Sequence, residues 1–361
     1  MKLIVNLKLQ PTKEQSNALR KTIERANKAC NAISEQAWES ETFKQFNLHK
    51  LVYHTTRDTF DLSAQIVVRL IAKVADAYKN DKKVKRVFRK HGSIAYDDRI
   101  LTFKKDERVS IWTMEGRQTI PFQCGDYQRK LLPFRKGETD LIYRKGNFYL
   151  NAVCDIDEPL LDDAQDVLGI DFGIVNLVTD SDGEAFTGAK IDETRRKHAH
   201  RRRNLQRKGT RSSNRKLKQL SGKQARFQRD TNHVISKCLV LKAKGTQRGI
   251  AVEDLKGIRG RVTVRKSQRA RLHNWAFAQL RTFLEYKSRL NGVALYAVDP
   301  HNSSRECSRC GYTDKANRKS QDKFLCQSCG HTANADFNAA LNLRARGVSI
   351  VQTSTSVDKA A

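Results

Sequence analysis

The stretch RECSRCGYTDKANRKSQDKFLCQSCGHTANADFNAA, residues 305–340, decides how the C-terminal half of this chain folds. It contains two C-x-x-C pairs, Cys307 with Cys310 and Cys326 with Cys329, separated by 15 residues. Two such turns at this spacing bring four thiolates to one tetrahedral Zn²⁺, as in a zinc ribbon. Four protein ligands leave no open coordination position, so the predicted zinc is structural. A redox role and an iron–sulfur cluster are the alternatives, and they explain this spacing less well.

A lone carboxylate follows the second cysteine pair. Asp336 lies seven residues after Cys329 in a run of small residues: Ala333, Ala335, Ala339 and Ala340. Because small side chains let a helix approach a sheet closely, the cysteine segment can be read as a rigid staple that delivers Asp336 to a site assembled elsewhere. The alternative is a small zinc module followed by an ordinary helix.

Two further acids lie at the ends of apolar runs. Asp171 follows the run that begins at Val167, and Glu253 ends a second run that begins at Ile250. A buried strand does not keep a carboxylate without a partner, because desolvating a charge is costly. With Asp336 these acids can hold two Mg²⁺ ions about 3.5–4 Å apart, which suits phosphodiester hydrolysis.

Each acid taken singly has an ordinary explanation as a turn residue, a surface charge at a strand end or a helix cap. Strand alternation also does not choose firmly between Glu253 and Asp254, since a slip of one residue exchanges their faces.

The charge of the chain indicates a polyanionic partner. The formal net charge is +30, from 69 Lys and Arg against 39 Asp and Glu. Nucleic acid is the polyanion that best explains so widely spread an excess. An anionic membrane surface is the alternative, but no stretch of about 18 apolar residues exists. The opening apolar run is too short for a secretion signal.

The cysteine pattern predicts a reducing compartment. Four of the eight cysteines form the paired units, and the other four are scattered: Cys30, Cys124, Cys154 and Cys238. This distribution suits one metal site and four small buried thiols rather than a disulfide framework. We therefore predict a cytoplasmic protein associated with the nucleoid.

A basic segment from residue 195 to 229 contains no acidic residue. Solvated charged faces normally mix both signs, so this segment is expected to lie against phosphate groups. Gly209 and Gly222 interrupt it and predict helical pieces rather than one rod. The cations expected to contact nucleic acid are Arg195, Arg196, Arg201, Arg202, Arg203, Arg207, Lys208, Arg211, Arg215, Lys216 and Lys218.

The pattern of apolar residues changes several times along the chain, and these changes predict an α/β plus β architecture. Alternating strand patterns at the N-terminus return after a helical stretch, and strands then alternate with helices in the C-terminal half. We predict a β-barrel from 1–10 and 93–156, a helical insertion at 11–92, an acidic linker at 157–166, an α/β domain from 166–304 and 332–347, a zinc ribbon at 305–331 and a disordered tail at 348–361.

Four stretches carry a family resemblance: GIDFGIVNLVTDSDG (169–183), IAVEDL (250–255), the segment 273–311 and CQSCGHTANADFNAALN (326–342). Together they resemble the TnpB proteins of insertion sequences, which are RNA-guided nucleases related to type V CRISPR effectors. The resemblance is specific over roughly the last 200 residues. Over residues 1–155 the resemblance is limited to the order of predicted elements: a first strand, a helical insertion and then further strands.

The resemblance implies a RuvC-like nuclease domain of the RNase H type. In that family a first strand supplies an Asp, a later strand a Glu and the helix after the zinc ribbon a second Asp. These positions fall on Asp171, Glu253 and Asp336, which favours Glu253 over Asp254. The implied activity is cleavage of DNA by one such site with two Mg²⁺ ions.

The same resemblance implies partners and a second surface. A guide RNA would select double-stranded target DNA, next to a short motif read by a wedge-like barrel and a helical recognition insertion. For motif reading we suggest Tyr53, Gln65 and Arg69, of which the last two are four residues apart and share a helix face. The alternative is that these three are ordinary exposed residues. The chain is expected to act as a monomer with RNA.

Three other functions remain open. A DNA strand-transfer transposase would use three similar acids without RNA. An RNA-guided repressor would bind target DNA without cutting it. A CRISPR effector would use the same chemistry with a guide from a CRISPR array instead of a transposon end.

Overall fold

The computed structural model describes residues 1–173, 175–254 and 277–358, with side chains described as far as residue 353 in the last helix. The chain divides into two compact units, Met1–Asp157 and Glu158–Ala361. The division falls at the start of the acidic segment 157–166.

The first unit combines one sheet with three long helices inserted after its first strand. Seven strands form the sheet in the order β2-β6-β7-β1-β5-β4-β3, and every pairing is antiparallel. The elements are β1 (Lys2–Leu9), α1 (Lys13–Glu39), α2 (Gln45–Phe60), α3 (Ala64–Asn80), β2 (Ile94–Tyr96), β3 (Leu101–Phe103), β4 (Arg108–Thr113), β5 (Gly116–Gln123), α4 (Asp126–Leu131), β6 (Arg135–Arg144) and β7 (Asn147–Asp155).

The sheet of the first unit is nearly closed. Its two edge strands, β2 and β3, are consecutive in sequence and are joined by a turn in which Ile100 N donates to Asp97 O over 3.1 Å. Near this turn Tyr96 Oη donates to the carbonyl oxygen of Trp112, 3.1 Å away, and Trp112 N donates to Ile100 O, 2.8 Å away. The first strand and the strands between residues 93 and 156 thus belong to one nearly closed sheet.

Local sequence explains where the inserted helices begin. Thr12 accepts a hydrogen bond from Gln15 N, and the Gln15 side chain accepts one from Thr12 N, so α1 starts with a capping box. The buried faces of α1 and α3 share one apolar core with the sheet, including Ile23, Leu70 and Ile111.

The second unit contains a mixed five-stranded sheet and a small hairpin. The sheet order is β10-β9-β8-β11-β12; β8, β9 and β10 are antiparallel neighbours, while β11 and β12 run parallel to β8. The elements are β8 (Val167–Asp171), β9 (Asn176–Asp180), β10 (Ala185–Thr187), α5 (Ala189–Lys208), α6 (Arg211–Leu220), α7 (Lys223–Gly245), β11 (Gly249–Glu253), α8 (Phe277–Asn291), β12 (Leu295–Val298), β13 (Lys323–Leu325), β14 (Thr332–Asn334) and α9 (Ala335–Asp358).

The two faces of this sheet are covered by different helices. Leu168 and Ile170 face a core that includes residues of α7 and α8, whereas Val167 packs with Leu343 and Val351 of α9. Successive side chains of a strand point to opposite faces. Odd-numbered residues of β8 and β11 therefore face α9.

Glycines allow α9 to lie directly on the sheet. A Cβ atom at Gly169 would lie 2.1 Å from the carbonyl oxygen of Ala340, and one at Gly347 would lie 2.6 Å from Ala251 Cβ. Ala339 and Ala340 are buried. The prediction of a close helix–sheet approach after the cysteine segment is confirmed.

The predicted disordered tail is wrong for most of its length. α9 continues to Asp358 instead of ending at 347, and Val351 is buried against the sheet. The Ser- and Thr-rich composition suggested disorder, but packing of this helix against β8 and β11 overrides it. Residues 255–276 of the predicted 166–304 segment lie outside the described residues. None of the described helices is both long and apolar enough to cross a membrane.

Candidate active site and metal centre

Asp171 and Glu253 end two neighbouring parallel strands. Ile170 on β8 is in register with Val252 on β11, so the next residue of each strand is one of the two acids. Both acids are odd-numbered and point toward the face covered by α9. Their exposed fractions are 9% and 8%, so both carboxylates are largely removed from water.

Asp336 reaches the same face from the first turn of α9. The Asn334 side chain caps this helix, because its Oδ1 accepts hydrogen bonds from the backbone N–H groups of Asp336 and Phe337 at 3.0 and 3.1 Å. The Asp336 carboxylate itself accepts a hydrogen bond at Oδ2 from Asn176 Nδ2 at 3.1 Å. Asp336 is 5% exposed, so all three predicted acids are buried in one place.

The electrostatics of the three acids show that they act on one another. Burial raises the pKa of Asp171 well above its usual range, and the charges of Glu253 and Asp336 raise it further, while Arg318 opposes them. Burial also raises the pKa of Glu253, against the hydrogen bond from Ser303 and the charges of Arg346 and Arg318. Holding ionised carboxylates this close to one another costs free energy unless cations bind between them.

The donor set of this cluster fits hard divalent cations. All three side chains offer carboxylate oxygens, the ligands that Mg²⁺ prefers. Among the described residues Asp180 is the other buried acid, and Lys242 neutralises it by a salt bridge. Within that part of the chain, the four cysteines are the only group of three or more metal-binding side chains whose donor atoms all lie within 4.8 Å of one another. The donor oxygens of the three acids are thus less tightly grouped than the four cysteine sulfur atoms.

The structure separates Glu253 from its neighbour Asp254. Asp254 accepts from Arg281 Nη1 at 2.7 Å on the other side of the strand, whereas Glu253 Oε1 accepts from Ser303 Oγ at 2.9 Å. Only Glu253 shares the buried site with Asp171.

Three polar residues that contact the acids were not identified from the sequence. Asn176 contacts Asp336, Ser303 contacts Glu253, and Arg318 Nη2 lies 3.5 Å from Asp336 Oδ1. All three lie outside the apolar runs that identified the acids. The only available signal for Asn176 was its position inside a stretch that carries the family resemblance.

The four predicted zinc ligands converge. Cys307 Sγ lies 3.7 Å from Cys329 Sγ, and Cys310 Sγ lies 3.6 Å from Cys326 Sγ. Four thiolates around Zn²⁺ at about 2.3 Å have sulfur–sulfur distances of about 3.8 Å in a regular tetrahedron. The backbone N–H of Cys329, with that of Ser328, lowers the pKa of Cys326 to about 7, which favours the ligating thiolate. The group fits a structural zinc ion.

The turns of the cysteine cluster explain the glycine after each pair. Gly311 has φ +75° and donates to Cys307 O, and Gly330 has φ +70° and donates to Cys326 O. L-residues with side chains rarely adopt this backbone conformation. Each turn therefore favours glycine at the position after its second cysteine.

Two asparagines join the cysteine segment to α9. Asn338 Nδ2 donates to Glu306 O and its Oδ1 accepts from Ser308 N, while Asn342 Nδ2 donates to the carbonyl oxygens of Ser303 and Glu306. Both asparagines are buried. The cysteine segment, the helix that carries Asp336 and the Ser303 partner of Glu253 thus form one hydrogen-bonded assembly.

The basic segment forms three helices, as the two glycines predicted. Gly209 and Gly222 lie between α5, α6 and α7 with φ +63° and +78°. Arg195 is partly buried and forms a salt bridge with Asp192 at 3.2 Å. In the described part of the chain, the other ten predicted phosphate contacts form no salt bridge and remain available to a partner: Arg196, Arg201, Arg202, Arg203, Arg207, Lys208, Arg211, Arg215, Lys216 and Lys218.

The three suggested motif-reading residues lie on two helices. Gln65 and Arg69 share a face of α3, and both contact the Asp97 carboxylate. Arg69 also forms an ion pair with Glu138. Tyr53 lies on α2, where its ring stacks on His49 with centroids 4.6 Å apart. Gln65 and Arg69 therefore have partners within the chain.

Two family models match parts of this chain. The Cas12f1-like TNB domain matches residues 277–343, which include the cysteine cluster and Asp336, and the OrfB_IS605 model, described as a probable transposase, matches residues 153–258. The sequence is 31% identical over 218 residues to the CRISPR-associated endodeoxyribonuclease Cas12f1 of Sulfoacidibacillus thermotolerans, covering 55% of this chain and 50% of that protein. Over these segments the chain is similar to TnpB and Cas12f proteins.

Other relatives agree with this assignment. The chain is 32% identical over 208 residues to the putative RNA-guided DNA endonuclease InsQ of Escherichia coli, covering 51% of this chain and 50% of InsQ. It is 28% identical to the TnpB-like protein MJ0751 of Methanocaldococcus jannaschii over 62% of this chain and 85% of that protein. The resemblance to the TnpB family is confirmed. The chain spans about half the length of the first two proteins.

A solved structure shares the fold of this chain. The mini-RNA-guided endonuclease CRISPR-Cas_phi3 superimposes with a TM-score of 0.61 at 11% identity, covering 96% of this chain and 92% of that one. At such low identity the match concerns the fold alone.

Proposed function

We propose that this chain is an RNA-guided DNA endonuclease with one metal-dependent active site. The observation that supports it best is the burial of Asp171, Glu253 and Asp336 together on one face of the second sheet. The names of its relatives, RNA-guided DNA endonuclease and CRISPR-associated endodeoxyribonuclease, point to the same activity.

The proposed architecture is that of the family. The second unit would be a RuvC-like domain of the RNase H type, with an inserted zinc ribbon. Its support is the strand order, in which the first strand, β8, is central, with antiparallel β9 and then β10 on one side and the parallel strands β11 and β12 on the other. The nearly closed sheet of the first unit would be the wedge-like barrel, and α1–α3 would be the recognition insertion.

In the proposed mechanism the three acids hold the metal ions, and neighbouring polar side chains orient the acids. Asp171, Glu253 and Asp336 would hold two Mg²⁺ ions, which when bound offset negative charge on the attacking and leaving oxygens of a phosphodiester. Ser303 orients the Glu253 carboxylate, and Asn176 orients that of Asp336. The four cysteines would hold one structural Zn²⁺ and fix the start of α9.

Arg318 is the cation best placed to meet the substrate. It comes from the cysteine segment, lies beside Asp336 and is partly exposed. A scissile phosphate that approached the acids would meet its guanidinium group, which binds phosphate well.

The proposed partners are a guide RNA and double-stranded target DNA. The cations of α5–α7 would hold phosphate backbones without selecting a sequence, while pairing with the guide would choose the target. Among the described residues there is one buried acid cluster that no Lys neutralises, so the same site would cut both strands in turn. The chain would act as a monomer with RNA.

Reading of the flanking motif remains assigned to Tyr53, Gln65 and Arg69. For Gln65 and Arg69 the proposal requires an exchange of the Asp97 contact for a base edge. Replacement of Asp97 by Asn would weaken the competing contact, and a changed motif preference in that variant would support the assignment.

The deciding experiment tests cleavage directly. The protein is expressed with its native flanking DNA, purified with any bound RNA, and mixed with plasmids that carry the matching target beside randomised flanks. We expect cleavage that depends on Mg²⁺, occurs beside one flanking motif and is lost in Asp171→Asn. Asp254→Asn, which alters the neighbouring acid outside the cluster, is the matched control and should still cut.

Each rival has its own signature in that experiment. Tight binding to matched DNA without cutting identifies a repressor. DNA ends joined in the absence of RNA identify a strand-transfer transposase. Cleavage guided only by RNA from a CRISPR array identifies an effector of that kind.

A further inference from the structure

A cavity of about 340 Å³ lies among the three basic helices. One wall comes from α5, a second from α6, and the first residue of α7 completes the rim. Its volume falls at the lower end of the range for small-molecule sites in proteins, about 300–1,000 Å³. The cavity lies apart in sequence from the acid cluster and from the cysteine group.

The rim of the cavity is cationic and has no internal counter-charge. Arg201, Lys216 and Lys223 line it, and within the described part of the chain none of the three forms a salt bridge. The surrounding segment 195–229 contains no acid. A bound group should therefore carry negative charge.

The floor of the cavity is apolar. The side chains of Leu205 and Leu220, both half-buried, line it, and the amides of Asn204 and Gln219 lie at its edge. A free phosphate would gain nothing from two leucines. A nucleobase, in contrast, has apolar faces and polar edges, and it is joined to a phosphate.

We propose that this cavity binds one unstacked nucleotide of a single-stranded nucleic acid. The base would lie against Leu205 and Leu220, and the flanking phosphates would contact Arg201, Lys216 and Lys223. A base inside a duplex is already stacked, so the ligand is a single-stranded or looped segment. RNA and DNA share this chemistry. The inference rests on the proposed function, because it refines where the partner nucleic acid contacts the chain.

The test separates base binding from phosphate binding. Leu205→Trp fills the cavity without changing charge, and Arg201→Ala removes one rim cation. Leu241→Trp, at an exposed leucine on α7 outside the cavity, is the matched control for the first variant. Arg202→Ala removes a predicted phosphate contact that does not line the cavity, and it is the comparison for the second. The probes are 20-nucleotide single strands, one RNA with 4-thiouridine and one DNA with 4-thiothymidine, offered to protein stripped of bound nucleic acid.

We expect Leu205→Trp to weaken binding at least about 5-fold, because one base loses its apolar contact with the cavity, without changing the salt dependence. Arg201→Ala and Arg202→Ala should each lower the salt slope by about 0.7, the share of one phosphate contact on a single strand. Photocrosslinks should map to residues 201–223 and disappear only in Leu205→Trp. The arm that crosslinks, RNA or DNA, identifies the source of the nucleotide.

Two outcomes overturn the inference in distinguishable ways. If both strands bind and crosslink elsewhere, while Leu205→Trp binds like the wild type, the cavity is not a site and the proposed function stands. If neither strand binds, the proposed function fails together with the inference. Circular dichroism checks that the helices are intact, and Leu220→Trp replaces Leu205→Trp if the latter disturbs them.

Discussion

Ser303 connects two parts of the acid cluster through two different groups. Its hydroxyl donates to Glu253, and its carbonyl oxygen accepts from Asn342 of α9, which begins next to Asp336. A residue that orients a metal ligand typically accounts for 10–100-fold in affinity or activity. We predict that Ser303→Ala lowers the cleavage rate by about 10–100-fold and raises the Mg²⁺ concentration needed for half-maximal rate.

The adjacent Ser304→Ala variant is the matched control, and it should cleave like the wild type. A titration of cleavage rate against Mg²⁺ measures both quantities. Equal rates in the two variants at every Mg²⁺ concentration would show that the Ser303 hydrogen bond does not matter for Glu253.

Gly169 determines how closely α9 can lie against β8. A methyl group there would meet the backbone of Ala340 and Arg344, which cannot move aside as a flexible side chain would. Overpacking of this kind costs about 1–3 kcal/mol. We predict that Gly169→Ala lowers the free energy of unfolding by at least that amount, as measured by denaturant titration, and reduces cleavage because Asp336 shifts.

Gly245 provides the comparison, because a Cβ there meets nothing within 4 Å and its φ is not positive. Gly245→Ala at the end of α7 should leave stability unchanged or slightly higher. Similar losses in both variants would mean that backbone conformation, not the approach of α9, is responsible.

At the scale of single residues the sequence identified the acids but not their partners. Asp171 and Glu253 could be recognised because each ends an apolar run, a local signal. Asn176, Ser303 and Arg318 are polar residues in or beside loops, and such residues are common everywhere. Their contacts exist only because distant segments meet, which no single window of sequence records.

Among the elements, the cysteine segment and α9 depend on each other. Asn338 and Asn342 bind the carbonyl oxygens of the cysteine segment, and Asp336 sits in the first turn of the same helix. Loss of one ligand should unfold the segment, because the binding free energy of a structural metal is also folding free energy. We predict that Cys326→Ala loses bound zinc and at least most nuclease activity.

Metal analysis by mass spectrometry and the cleavage assay measure the two quantities for Cys326→Ala. Cys238, predicted to be a buried thiol, is exposed and lies outside the cluster, so Cys238→Ala should keep both. Full activity in a zinc-free Cys326→Ala protein would show that the segment does not position Asp336.

The ends of helices were predicted well where a glycine sets the local backbone conformation. They were predicted poorly where contacts with distant residues determine the length of the helix. Gly209 and Gly222 lie between the basic helices as expected, because their left-handed conformations strongly favour glycine. The end of α9 was misplaced because Val351, more than ten residues past Asp336, is buried on the sheet. Composition alone cannot show that contact.

The basic helices contain one cation that differs from the others. Arg195 is paired with Asp192 and partly buried, whereas Arg203 is exposed and forms no salt bridge in the described part of the chain. We predict that Arg203→Ala reduces the slope of log affinity against log salt by about 0.7–0.9. Arg195→Ala should change that slope little. Filter binding of duplex and single-stranded probes across a salt series distinguishes them, and equal effects would contradict the structural difference.

For the whole molecule the dominant physical quantity is the net charge of +30. Like charges repel one another in the compact state, and a bound polyanion or added salt relieves this repulsion. The free protein should therefore become more stable as salt rises from about 0.05 to 0.5 M, a range over which the screening length falls below about 10 Å.

The bound protein should respond in the opposite direction. Nucleic acid stabilises the folded state by mass action, and salt releases it because each phosphate contact depends on counterion release. We predict that Tm rises with salt for protein stripped of nucleic acid and falls with salt for its RNA complex, so that the two curves converge. Differential scanning fluorimetry of both samples measures this. Parallel curves would mean that the excess positive charge is not neutralised by the bound strand, and the cations of α5–α7 would then need another partner.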